Sequence, residues 1–114
     1  MSDAATLAQR QLDAYNAHDL EGFVACYAED VVVRRLVDNA ERLRGRDALR
    51  AAYAPMFAEG RVHATVVQRV VVGPVAVDEE EVSGHPAGEG LRVIAQYEVR
   101  GGLITQVWFV REGD

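Results

Sequence analysis

The chain has 114 residues, enough for one domain that buries roughly 65% of the surface its unfolded form exposes. A formal charge of −6 argues against a general nucleic-acid or anionic-membrane partner. All twelve basic residues are arginine, which excludes a Schiff-base lysine, and the single cysteine, Cys26, excludes an intrachain disulfide. With no basic-then-apolar leader and no apolar run approaching ~18 residues, a cytoplasmic protein is expected.

The spacing predicts a first helix over residues 3 to 17, capped by Ser2 or Asp3, with Ala4, Ala8, Leu12 and Tyr15 as its apolar stripe. Asn16 tolerates the left-handed conformation and is read as ending it. Asp19 then caps a second helix and Glu21 sits in its positive first turn. Leu20, Phe23, Val24 and Tyr27 recur at helical spacing, so one face is apolar. Inside that amphipathic helix Cys26 reads as a small packed residue rather than a nucleophile. The run Val31-Val32-Val33 switches the period to a strand over 30 to 37. Asp38 and Asn39 turn the chain into a short returning strand.

A third helix is predicted from Arg46 to Ala58, with Leu49, Ala52, Tyr53, Met56 and Phe57 on one face and Gly60 at its stop. Pro55 inside it predicts a kink or a break. Arg42, Arg44, Arg46 and Arg50, beside Glu41 and Asp47, read as a solvated helix start. From Val62 onward the texture is β. Residues 62 to 72 and 75 to 82 form a hairpin at Gly73-Pro74, and 83 to 90 are a loop. Leu91 to Val99 alternates as a strand with one apolar face, and Leu103 to Val110 follows a glycine turn. Helices early and strands late make an α+β domain over residues 1–114, a curved, mostly antiparallel sheet wrapped against three helices.

The stretch from Ala14 to Leu36, together with Gly45-Arg46-Asp47-Ala48-Leu49 and the hairpin from Tyr97 to Ile104, resembles the nuclear-transport-factor-2-like superfamily. Within it the chain is most similar to SnoaL-like and ketosteroid-isomerase-like proteins. The resemblance implies a cone-shaped, cystatin-like sheet whose mouth holds a pocket, often paired into a homodimer through the outer sheet face. It also implies a small-molecule ligand and chemistry of an acid–base isomerase, cyclase or lyase. Because this fold hosts several functions, the runner-up is a non-catalytic interaction or ligand-binding module acting as a homodimer. The isomerase family uses a carboxylate near the end of the first strand as base, and a tyrosine and a protonated aspartate as oxyanion donors. The matching positions here are Arg35, Gln11 and Gln96. Glutamines can donate, but an arginine cannot abstract a carbon-bound proton at neutral pH, so steroid isomerisation by that route is not expected.

Metal and phosphate motifs are absent, His18, His63 and His85 lack ligand spacing, and neither Ser2 nor Ser83 sits in a nucleophile elbow. No cofactor is expected. Counting back from Gly73-Pro74 puts Arg69 opposite Asp78, with Glu80 diagonal on the same face. This is either a carboxylate, Glu80, held by Arg69 for acid–base work, or an ordinary cross-strand ion pair. If Arg35 points inward it favours a carboxylate- or phosphate-bearing ligand; otherwise it pairs with an acid. Tyr15, Phe23, Tyr27, Tyr53, Phe57 and Tyr97 either line a pocket for a flat apolar ligand or form core. Tyr53 and Glu80 are the candidate catalytic groups. Gln96 and Tyr97 are neighbours on one strand, so both face the pocket only at a bulge, and the two-residue period favours Tyr97. On the last strand Trp108, Val110, Gln106 and Ile104 are placed on the outer face, and Val107 and Phe109 inside. An outward tryptophan predicts a homodimer with Trp108 at the interface.

Overall fold

The computed structural model describes residues 3–114, so a cap at Ser2 lies outside the described residues. Helix α1 (Asp3–Asn16) buries Ala4, Leu7, Ala8, Gln11, Leu12 and Ala14. Its end differs from the expectation. Asn16 is the last helical residue, and His18 takes the left-handed conformation at φ 56°. Asn16 is needed as a clamp: its Nδ2 donates to the Ala64 carbonyl at 2.9 Å and its Oδ1 accepts the Ala64 N–H at 2.8 Å. A carboxamide fits this two-way bond, because it carries both a donor and an acceptor.

Helix α2 (Leu20–Val24) is a single short turn-and-a-half, capped by Asp19, whose Oδ1 accepts the Gly22 N–H at 3.0 Å. A Cβ on Gly22 would lie 2.2 Å from the Asp19 carboxylate, so a side chain there would force the capping carboxylate to shift. Tyr27 does not extend this helix, as its spacing suggested; it opens strand β1 (Tyr27–Arg35). The Cys26 carbonyl already accepts the Ile104 N–H at 2.9 Å, and this sheet bond overrides the helical period. Strand β2 (Glu41–Arg44) returns antiparallel to β1.

Helix α3 (Arg46–Glu59) runs unbroken through Pro55 and ends on left-handed Gly60, at φ 68°. Pro55 lies on an exposed side of the helix. The carbonyl freed by its missing N–H is therefore not sealed in the core, and no break follows. Strands β3 (His63–Val72) and β4 (Val75–Ser83) pair in the register counted from Gly73-Pro74, with Val72 opposite Val75 and Arg69 opposite Asp78. A bulge at Val67 then shifts the pairing, so Glu80 faces Val66. Strands β5 (Leu91–Arg100) and β6 (Leu103–Arg111) complete a six-stranded sheet in the order β2-β1-β6-β5-β4-β3. Every neighbour is antiparallel except β1 and β6.

Helices α1 and α3 pack against one face of the sheet and α2 packs against both of them, and the main core lies between helices and sheet, with Leu7, Phe23, Val31, Leu49, Tyr97, Ile104 and Val107 in it. Placing Ile104 on the outer face with Trp108 was wrong. The register of β6 against β5 slips between Glu98 and Val99, leaving Thr105 as an extra residue that reverses the alternation and buries Ile104. Among the described residues, no helix is long and apolar enough to cross a membrane.

Candidate active site

The concave face and the three helices enclose a cavity of about 440 Å³, within the range of small-molecule sites. Its floor is polar. Gln11 is 4% exposed, Tyr27 and Tyr97 are 2%, and Glu80 is 6%. Gln11 reaches it because α1 presents Leu7, Ala8, Gln11 and Tyr15 on one side, a polar residue set into an apolar stripe. The Tyr27 hydroxyl donates to Gln11 Oε1 at 3.3 Å, and Gln11 Nε2 donates to the Tyr97 hydroxyl at 3.0 Å. The Tyr97 side chain also lies near Glu80 and helps to hold its carboxyl down. With Gln11 filling the acceptor side of Tyr97, the phenolic proton is free to point at the carboxylate.

Burial is the main force on Glu80, and the nearby Asp78 charge adds to it. Together they push its carboxyl from 4.5 up to about 7, against the opposing pull of Arg69 and Tyr97. Above the floor stands an apolar and aromatic wall that includes Tyr15, Phe23, Tyr53, Met56, Val93 and Phe109. Burial raises Tyr15 to about 12 and lifts Tyr53 as well, with the Glu80 charge a further cause in each. Both phenols therefore stay protonated, and neither hydroxyl has a hydrogen-bond partner among the described residues. They are donors available to a ligand.

The sequence candidates separate on this geometry. Tyr15, Phe23, Tyr27, Arg35, Tyr53, Glu80 and Tyr97 come together around the cavity. Phe57 stands behind its wall, with ring centroids 5.5 Å from Tyr15, 5.4 Å from Phe23 and 5.9 Å from Tyr53. It braces the wall and does not line the cavity. Arg69 is a correction. Its guanidinium takes Asp78 in a two-point bond, Nε to Oδ1 at 2.6 Å and Nη2 to Oδ2 at 3.0 Å, with Nη1 on Gln9 at 3.0 Å. Arg69 thus neutralises the fully buried Asp78 beneath α1; it does not hold Glu80.

Gln96 is the second correction. It pairs in register with Trp108 and Val77 on the outer face, and strand β5 keeps strict alternation against β4 across this stretch, so no bulge brings Gln96 inward beside Tyr97. The inward polar group next to Gln11 is Tyr97. Arg35 pairs in register with inward Phe109, Arg34 pairs with Trp108 and bonds Gln106 at 3.2 Å, and both arginines contribute to the cavity lining.

Several lining residues were not among the sequence's site candidates, among them Leu12, Arg42, His85 and Arg111. Arg42 was grouped with the solvated arginines at the start of α3. Arg44 and Arg50 do pair locally, with Glu41 at 2.6 Å and with Glu21 at 3.0 Å, and Arg46 binds the Tyr27 carbonyl at 2.7 Å. Arg42 instead stands at the cavity rim. Cys26 is buried, its thiol is pushed up by burial, and it bonds the Gly22 carbonyl at 3.4 Å. Among the described residues no group of three His, Cys, Asp or Glu side chains could hold a metal ion.

Among curated proteins, none matches the chain. A cystatin-fold protein of uncharacterised function from Novosphingobium aromaticivorans is 26% identical, with a TM-score of 0.84 over 97% of this chain and 99% of that one. A candidate ketosteroid isomerase from Kribbella flavida is 23% identical, with a TM-score of 0.75 over 96% and 78%. A candidate polyketide cyclase from Sinorhizobium meliloti is 19% identical, with a TM-score of 0.75 over 92% and 94%. The last two likenesses establish fold alone. The family model of the SnoaL-like domain matches residues 8–107, which holds all three helices apart from the first residues of α1 and nearly the whole sheet, and the chain belongs to that family.

Proposed function

We propose that the protein binds a small, largely apolar carbonyl compound and moves a proton on it, with Glu80 as the acid–base group. The observation that carries this reading is a carboxyl held near pH 7 at the floor of an apolar cavity. A proton-transfer group works best when its pKa lies near the operating pH. Deprotonated Glu80 takes a proton from the carbon beside the carbonyl, and the Tyr15 and Tyr53 hydroxyls supply hydrogen bonds to the oxygen on which negative charge develops. Returning the proton to another carbon gives isomerisation; attack of the enolate on a second carbonyl of the same molecule gives cyclisation. Arg35 stands where the steroid isomerases carry their base, so the proton is handled from strand β4 and not from β1.

The test follows exchange of the α-protons of 2-tetralone in D₂O by NMR. Exchange should rise with pH through about 7, following Glu80 ionisation, and Glu80→Gln should slow it by about 100- to 10,000-fold. Equal rates in the wild type and the variant would overturn the reading.

A second reading, a homodimer joined by the outer sheet face, is supported by Trp108, Val77 and Val70. These lie in one register row across a face that no helix covers.

A further inference from the structure

The acidic chain gathers arginine at the mouth of its cavity. Arg34 and Arg35 from strand β1, Arg42 from β2 and Arg111 from β6 line it. Arg111 shares the inner-face row of Val93 and Glu80, and Arg35 that of Phe109 and Ala95. The acids among them are fewer. Arg35 Nε lies 3.5 Å from Asp38 Oδ1, too far for a good hydrogen bond, and that buried nitrogen has no hydrogen-bond partner among the described residues. Asp114 accepts the Arg111 backbone N–H at 2.8 Å, and no ion pair to Arg42 or Arg111 occurs among the described residues. His85 is half-buried and held neutral, because burial and then the Arg111 charge depress its pKa. Four guanidiniums stand against the carboxylates of Asp38 and Asp114, so the rim is left with positive charge in excess.

Resting on the pocket reading above, we infer that the ligand carries a carboxylate on its flat apolar body, seated at the rim against Arg35, Arg42 and Arg111 while the body lies along the aromatic wall. A carboxylate offsets part of the excess, offers an acceptor to the orphaned Arg35 Nε and matches the two-point geometry of a guanidinium. It also sets the polarity of binding. The acid end stays at the mouth, and the far end of the molecule is delivered to Glu80 on the floor.

The experiment titrates the protein by calorimetry with 1-naphthylacetate and with 1-naphthylacetamide, which have the same ring and differ in the charge. The acid should bind at least about tenfold more tightly than the amide, and 0.5 M NaCl should weaken the acid alone. Arg42→Gln and Arg35→Gln should each reduce acid affinity about tenfold and leave the amide unchanged. Arg42 is exposed, so its replacement tests the idea even if the Arg35 variant folds poorly. Equal binding of acid and amide, or a preference for the acid that survives both substitutions, would overturn the carboxylate assignment and leave the pocket reading standing. Failure of both compounds to bind would remove the two together.

Discussion

Glu80 links the proposed chemistry to the stability of the fold. The native state holds a proton up to about pH 7 that the unfolded chain releases near 4.5. Between those values the folded form binds more protons than the unfolded form, so the contribution of this group to stability falls as pH rises through the window. Below about 4.5 both states are protonated and nothing is lost. Above about 7 the whole penalty is present, up to about 3 kcal/mol for a shift of this size. Glu80→Gln should therefore raise the melting temperature at pH 8 and leave it nearly unchanged at pH 4. A stabilisation that is the same at both pH values would show that burial of Glu80 does not strain its ionised form.

The short helix α2 depends on a relation between two residues rather than on helix propensity. Gly22→Ala normally stabilises an exposed helical position by up to about 1 kcal/mol. Here the added Cβ collides with Asp19, whose cap is itself worth about 1 kcal/mol. Gly22→Ala should therefore destabilise the wild type, yet be neutral or stabilising in an Asp19→Ala background. Urea titration of the four proteins in this cycle checks the change of sign. An equal effect of Gly22→Ala in both backgrounds would separate the cap from the glycine.

The whole molecule is lopsided, with three helices on one side of the sheet and none on the other. Rows such as Trp108–Gln96–Val77–Val70 mix polar and apolar side chains on the uncovered face, and Trp108 Nε1 is tied to Asn39 at 2.9 Å. A dimer through this face is expected, with Trp108 near its centre. Light scattering at micromolar concentration should give twice the chain mass, and Trp108→Glu should return it to the mass of one chain. A monomeric wild type would end this proposal.

Much of the fold was legible because it rests on short-range signals. Capping by Asp19, the stop at Gly60 and the Gly73-Pro74 register all follow from a few neighbouring residues, and the period-two pattern of Leu91 to Val99 places Tyr97 inside without any tertiary information. The failures fall where a distant strand intervenes. Tyr27 leaves its helical spacing because Cys26 pairs with Ile104, Ile104 turns inward because of a bulge at Thr105, and Asn16 is spent on Ala64 rather than on a left-handed turn. The site divides in the same way. Its aromatic wall could be read from helical faces, and Glu80 from a hairpin count. The bonds that tie Gln11 to Tyr27 and Tyr97 and the arrival of Arg42 and Arg111 at one rim were decided only by the curvature of the sheet. Local sequence sets which way a side chain points from its own element; the sheet, by closing around the helices, sets what it meets.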